Sequence, residues 1–135
     1  MLLDVDLASQ EPIYRQIRTK IVSAIACGEL SPGDQLPSVR TLAGDLGVNM
    51  HTVNKAYAVL RDEGYVTMRG RSGAYIADRP SVLTPERAAS DRQRLAQALH
   101  GLALEHKAQG GTLESFTAAA AEQAARVFKT TNDTL

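Results

Sequence analysis

The sequence predicts a mostly α-helical fold with one small β-hairpin in mid-chain and a helical hairpin at the end. Apolar residues make up 44% of the 135 residues but aromatic residues only 4%, so a core must be built from Leu, Ile, Val and Ala. Such a composition favours helices over sheets. Apolar residues also recur at spacings of three and four, and glycines follow those runs. The length fits one compact domain plus an appendage.

The first predicted helix follows an acidic, irregular lead over residues 1–11. Pro12 suits the first helical turn, where its missing N–H costs least, and Gly28 suits a left-handed stop. One face of the helix is expected to be core, with Ala24 beside it. Its apolar positions are Ile13, Ile17, Ile21 and Ile25.

Two short helices are expected after a loop over residues 30–37 that is rich in turn formers and carries the apolar anchors Leu30 and Leu36. Ser38 and Asn49 are suitable N-caps for the second and third helices. Gly47 and Gly64 are expected to end the second and third helices, respectively. The buried side of the second helix is Val39, Leu42, Ala43 and Leu46, and that of the third is Val53, Ala56, Tyr57 and Leu60.

A hairpin and a helical tail complete the predicted fold. The strands are expected over residues 65–69 and 74–78, joined by the glycine-rich segment 70–73. Thr84, Pro85 and Glu86 then indicate a helix start, and a second tail helix follows Gly110 and Gly111. We predict the domains 1–79 and 80–135. The apolar tail positions are Leu95, Leu99, Leu102, Leu113, Phe116, Ala120, Ala124 and Val127.

The two helices separated by residues 47–49 have the spacing of a helix-turn-helix, and the hairpin after them would be its wing. The polar side of the third helix then suits base edges in a major groove. Arg40 and Lys55 suit phosphate contacts, and the arginines and glycines of the hairpin tip suit a phosphate or the minor groove. The polar side of the third helix is Asn49, Met50, His51, Thr52, Asn54 and Lys55.

The predicted helix-turn-helix and hairpin resemble the YtrA-type branch of the GntR family. The residues that carry the resemblance are Leu36-Pro37-Ser38-Val39-Arg40-Thr41-Leu42-Ala43, then Leu46 to Asn49, the Ala56-Tyr57 pair, Glu63-Gly64 and the segment 70–73. The resemblance covers residues 10–78 and implies a winged helix-turn-helix. Met50, His51 and Asn54 depart from common family residues, so the operator sequence does not transfer. Residue by residue, the resemblance implies DNA contacts from Ser38, Arg40, residues 49–52, Asn54, Arg69, Gly70 and Arg71.

For the tail, the resemblance implies a homodimer through the C-terminal helices. The tail's apolar stripe also has too little chain to bury itself alone, so a twofold partner is expected independently. The resemblance further implies repression of transporter genes and of the protein's own gene, through double-stranded operator DNA. An unidentified small-molecule effector near the junction of the two domains is the first hypothesis for regulation. Control by protein concentration alone is the alternative.

Other functions have less support in the sequence. The net charge is zero, and residues 38–79 carry six bases against four acids, so a winged-helix protein-interaction module without specific DNA binding is the rival hypothesis. No catalytic constellation, cofactor motif or metal cluster is expected, and His100 and His106 are expected to be solvated. Cys27 is expected to be buried or a helix-end residue. Without an apolar run of membrane-spanning length, the chain is expected to be cytoplasmic.

Overall fold

The computed structural model describes residues 4–78 and 84–133, with side chains to residue 128. The chain forms two compact units that divide between Val82 and Leu83. The first holds α1 (Ile13–Ala26), α2 (Val39–Leu46), α3 (Met50–Asp62), β1 (Val66–Met68) and β2 (Ala74–Ile76), and the second holds α4 (Pro85–Ala108) and α5 (Leu113–Asp133). The predicted class, mostly helical with one hairpin and a helical tail, is confirmed.

The core of the first unit lies between α1, α2, α3 and the hairpin. Ile17, Ile21, Val53 and Leu60 are wholly buried, because the predicted apolar faces of α1 and α3 pack against each other. The two anchors of the loop, Leu30 and Leu36, are buried as predicted. The remaining buried apolar residues are Ala24, Leu42, Ala43, Ala56, Tyr57, Val66, Ala74 and Ile76.

The helix ends follow the sequence signals with one exception. The Ser38 hydroxyl accepts the N–H of Thr41 at 3.0 Å, and the Asn49 side chain accepts the N–H of His51 at 2.7 Å. Gly47 ends α2 in the left-handed region, at φ 68°. Pro12 is not in the first turn of α1 as expected, because its ψ of 143° is extended and the helix begins at Ile13.

The lead before α1 is held in place, which the interpretation as an irregular segment missed. The Gln16 side chain is buried. It accepts the N–H of Asp6 at 2.8 Å and donates to the carbonyls of Asp6 at 3.0 Å and of Glu11 at 2.9 Å. These three hydrogen bonds satisfy the buried polar atoms of the Gln16 side chain. The side chain therefore connects the lead to α1.

Cys27 is exposed, so the expectation of a buried thiol is wrong and the alternative of a helix-end residue is confirmed. The cysteine is the C-cap residue of α1, one position beyond the last residues of the helix. The buried face of α1 ends with Ala24, and the chain turns away at Gly28, whose φ is 82°. A side chain between that face and the turn points out of the core.

A buried hydrogen bond joins α3 to the segment before α2. The Tyr57 hydroxyl donates to the carbonyl of Pro37 at 2.7 Å. Burial raises the pKa of Tyr57, so the phenol keeps the proton that it donates. The bond fixes the approach of the chain to the N-terminus of α2.

We expect Tyr57→Phe to lower the free energy of unfolding by about 1 kcal/mol, because the Pro37 carbonyl would lose its partner while the ring still fills the core. Urea unfolding followed by circular dichroism measures the change. Tyr14→Phe is the matched control, since it removes the hydroxyl of a half-buried ring on α1. Equal stability of Tyr57→Phe and the wild type would show that the bond contributes nothing.

The second unit is a helical hairpin with the predicted start. The Thr84 hydroxyl accepts the N–H of Arg87 at 3.1 Å, and Pro85 opens α4. Gly110 has φ 93° at the turn between the helices. Neither tail helix has a buried residue among those whose side chains are described. Among the described residues, no helix has the length and hydropathy needed to cross a bilayer.

His106 is half-buried and structural, which corrects the expectation of a solvated histidine. Its Nε2 lies 2.7 Å from the Ser115 hydroxyl, and its ring lies 5.8 Å from the ring of Phe116. The two contacts join the end of α4 to the first turn of α5. His100 is exposed, as expected.

We expect Gly111→Ala to destabilise the tail by about 1 kcal/mol, because a Cβ at this position would collide with the His106 ring and displace it from Ser115. Gly101→Ala is the matched control: its Cβ would meet open space, and alanine is the better helix former by about 1 kcal/mol. Thermal unfolding should therefore shift in opposite directions for the two variants. A shift in the same direction would contradict the proposed contact.

Candidate nucleic-acid interface

The α3 helix presents a polar side to solvent because its other side is buried in the core. Met50, His51, Asn54 and Lys55 are exposed, and Thr52 is half-buried. Successive helix positions are about 100° apart, which places His51 and Lys55 roughly opposite the buried stripe and Met50 and Asn54 to one side of it. The stripe is Val53, Ala56, Tyr57 and Leu60.

Two predicted contact residues also have local structural roles. The side-chain amide oxygen Oδ1 of Asn49 accepts the N–H of His51. The Ser38 hydroxyl accepts the N–H of Thr41 and donates to the Thr41 hydroxyl at 2.8 Å. Both side chains therefore fix the N-termini of the two helices of the motif. Arg40 lies in the first turn of α2 and is exposed.

Lys55 has a partner that the sequence analysis missed. Its ammonium nitrogen lies 4.2 Å from the centre of the Tyr14 ring, on α1. A cation over an aromatic face is attracted to it at this distance. The ring thus restricts the positions available to the Lys55 side chain.

The strands of the hairpin are shorter than predicted, although backbone bonds continue beyond them, from the N–H of Ala77 to the Tyr65 carbonyl and from the N–H of Arg69 to the Gly73 carbonyl, both at 2.9 Å. The hairpin register pairs Val66 with Ile76 and Met68 with Ala74. The N–H of Tyr65 donates back to α3, at the Leu60 carbonyl, so only the carbonyl of this residue takes part in the hairpin. At the other end, a single 3₁₀ turn over Gly70–Ser72 joins the strands. Arg69, Gly70 and Arg71 are exposed at this tip.

The segment before α2 pairs with the hairpin, which was predicted only as a loop. The N–H of Gly33 donates to the Ile76 carbonyl at 2.8 Å, that of Ile76 to the Asp34 carbonyl at 2.8 Å, and that of Leu36 to the Ala74 carbonyl at 2.9 Å. The hairpin is therefore joined through its backbone to the segment that enters α2. The signal in the sequence for an ordered segment at this position was the apolar anchor Leu36, which is buried.

Two side-chain contacts act on the hairpin tip. The Gln35 amide donates to the Ser72 carbonyl at 2.6 Å. The guanidinium carbon of Arg69 lies 4.5 Å from the centre of the Tyr75 ring. Residues of the segment before α2 and of β2 thus hold both sides of the turn.

An ion pair supports the end of α3 away from this surface. The Arg18 Nε and Nη2 atoms donate to the two carboxylate oxygens of Glu63 at 2.8 and 3.0 Å. The bond to Glu63 raises the pKa of Arg18 against the effect of its burial. The contact joins α1 to the residue that caps α3. Sequence reasoning missed it because the two positions are 45 residues apart.

Comparison with known proteins agrees with this geometry. The model of the bacterial regulatory proteins of the gntR family matches residues 13–76. A solved structure of YtrA from Sulfolobus acidocaldarius, described as a GntR-family transcription factor, is 44% identical with a TM-score of 0.54, over 70% of this chain and 95% of that one. The chain belongs to the GntR family. The repressor YtrA of Bacillus subtilis is 44% identical over 78 residues, which are 57% of this chain.

Membership of this family confirms the predicted resemblance, including its YtrA-type branch. The matched part spans 59% of the length of the Bacillus YtrA. A transcriptional antiterminator from Listeria monocytogenes superposes over 94% of this chain and 92% of its own, with a TM-score of 0.77 and 29% identity. These relatives are regulators and not enzymes, in agreement with the prediction that this chain is not an enzyme.

The structural neighbours include domains bound to operator DNA. The DNA-binding domain of AraR, in complex with operator ORX1, is 26% identical with a TM-score of 0.52, over 56% of this chain and 96% of that one. In the part of the chain that the structure describes, no group of three His, Cys, Asp or Glu could hold a metal ion.

Proposed function

We propose that this GntR-family protein is a transcription regulator that binds operator DNA sequence-selectively, as a homodimer, and represses the genes it controls. The observation that carries the proposal is the exposed polar side of α3. That side is fixed by the buried opposite face, begins at a capped N-terminus and is followed directly by the hairpin. The operator complex of the AraR domain supports DNA as the partner.

In this proposal the contacts divide into two kinds. Met50, His51, Thr52 and Asn54 read base edges in the major groove. Arg40, Lys55 and the hairpin-tip residues Arg69, Gly70 and Arg71 contact phosphates or the minor groove, which sets the register of the protein on the duplex. Ser38 and Asn49 act mainly by capping, which orients backbone N–H groups toward phosphate.

The tail supplies the dimer. Leu95, Leu99 and Leu102 recur on one side of α4, and their exposed fractions are 61%, 42% and 55%. Three leucines so exposed at helical spacing favour a partner that covers them. A second copy of the chain is the simplest one, because a twofold pair of recognition helices reads two half-sites about 34 Å apart.

Repression is proposed from the relative named as the transcriptional repressor YtrA. A dimer bound over a promoter excludes other proteins from it, and the protein's own gene and transporter genes are the proposed targets. Occupancy would follow the concentration of the protein. A small-molecule effector is the second proposed input, and it would act by weakening one of the two half-site contacts.

The first test is fluorescence anisotropy with duplexes from the protein's own promoter region, at several salt concentrations. We expect saturable, sequence-selective binding whose affinity falls steeply with salt, because bound phosphates release counterions. Arg40→Ala should weaken binding and lower the salt slope by about one. Arg126→Ala, which removes the same charge from an exposed position of α5 outside the apolar stripe of that helix, is the matched control and should leave the slope unchanged.

Two outcomes would contradict the proposal in different ways. Binding to every duplex with equal affinity would remove sequence-selective regulation. No binding at low salt to any duplex would remove DNA as the partner and favour the protein-interaction module.

A further inference from the structure

The hairpin tip combines a charged side chain with two contacts that hold it. Arg69 and Tyr75 face each other across the hairpin, with the guanidinium carbon 4.5 Å from the ring centre. Tyr75 is half-buried, whereas Arg69 is exposed. The ring is therefore the better-fixed partner, and it limits the rotamers available to the arginine.

The turn itself is held from the other side. Gln35 pairs with Tyr75 as an isolated antiparallel bridge, and its amide donates to the Ser72 carbonyl at 2.6 Å. Gly70 and Gly73 adopt φ values of 56° and 103°. A short turn with two such glycines would otherwise have many accessible backbone conformations.

We infer that Tyr75 is a positioning residue for DNA binding: its ring presets the Arg69 guanidinium, while Gln35 fixes the turn. The inference deepens the proposed function and rests on it. A long, flexible arginine loses rotamer freedom when it binds DNA. In the free protein the Arg69 side chain already lies on the Tyr75 ring, so it loses less rotamer freedom when it binds DNA.

The same contacts connect the hairpin to α2. Gln35 lies three positions before Ser38, the N-cap of α2, and the backbone of this segment pairs with β2. A change in the direction of this segment would move the turn that carries Arg69. The position of the hairpin tip is thus set by the segment that leads into the helix-turn-helix.

Two variants separate the ring contact from general packing. Tyr75→Phe keeps the aromatic face, and Tyr75→Leu keeps an apolar side chain without it. In the free protein, the NMR signals of the Arg69 side chain should show a ring-current shift in the wild type and in Tyr75→Phe, and should lose it in Tyr75→Leu. Unshifted Arg69 signals in the wild type would overturn the inference.

The second measurement is operator affinity by anisotropy. We expect Tyr75→Leu to weaken binding about threefold for each wing engaged, or about tenfold for a dimer, and Tyr75→Phe to bind like the wild type. In an Arg69→Ala background, Tyr75→Leu should have no further effect, because the group it positions is gone. A further loss of the same size would overturn the inference and make Tyr75 a packing residue.

The two readouts keep this inference distinct from the proposed function. If the wild type binds no duplex selectively, the proposed function fails, and with it the role of Tyr75 in DNA binding. The Arg69 signals of the free protein still report whether the ring holds the guanidinium. If the wild type binds selectively and Tyr75→Leu binds equally well, only the positioning role fails.

Discussion

Leu102→Glu is expected to convert the proposed dimer into a monomer and to lower operator affinity by about 100-fold or more. In a symmetric seam each copy contributes the leucine, so the change removes two apolar side chains worth about 2 kcal/mol each when buried. It also places two carboxylates where they would lose water. A monomer binds one half-site and forfeits the effective concentration that the second half-site gains from the first.

Leu104→Glu is the matched control for this experiment. The two leucines are two positions apart on α4 and equally exposed, at 55% and 57%. Leu104 lies on the side of the helix away from the leucine stripe, because two positions correspond to about 200°. Light scattering should report a monomer for Leu102→Glu and a dimer for Leu104→Glu. A dimer in both variants would contradict the assignment of the stripe to the dimer interface.

Asn54→Ala is expected to weaken operator binding about tenfold per half-site, and about 100-fold for a dimer. A side-chain amide that bonds two edge atoms of one base contributes about 1–3 kcal/mol of discrimination. Asn54 is exposed one helical turn from the start of α3, and alanine suits an exposed helix position. The variant should therefore lose binding without losing stability.

Two controls make this result specific. Affinity for an unrelated duplex should stay unchanged, since phosphate contacts supply that binding. Gln97→Ala removes an exposed amide from the side of α4 opposite the leucine stripe and should leave operator affinity unchanged. An equal loss of affinity for operator and unrelated DNA would identify Asn54 as a phosphate contact rather than a base contact.

The elements of this protein could be predicted from sequence because local signals specify them. The four-residue spacing of isoleucines determined the buried face of α1, and Ser38, Asn49 and Thr84 determined three helix starts. Side chains that cap a helix bond backbone groups two or three residues away, so these contacts do not depend on the rest of the fold. The exposed side of α3 followed from its buried stripe.

Contacts between distant positions were decided only by the tertiary structure. Arg18 meets Glu63, Lys55 meets Tyr14, and Gln35 meets the turn at Ser72. No periodicity in the sequence pairs such residues, because each contact requires two elements to be packed in a particular register. The same reason explains Cys27, whose place in an apolar stretch suggested burial although the chain turns out of the core at that point.

The sequence by itself determined the helix-turn-helix, the hairpin and the residues that face solvent along α3, because periodicity, caps and glycines act within a few residues. The tertiary structure alone decided how those parts are held: the segment 33–36 pairs with β2, and Tyr75 lies against Arg69. Backbone pairing between distant segments and contacts across a hairpin depend on packing. The sequence therefore indicates which groups could meet DNA, and the folded chain determines which of them are already in position.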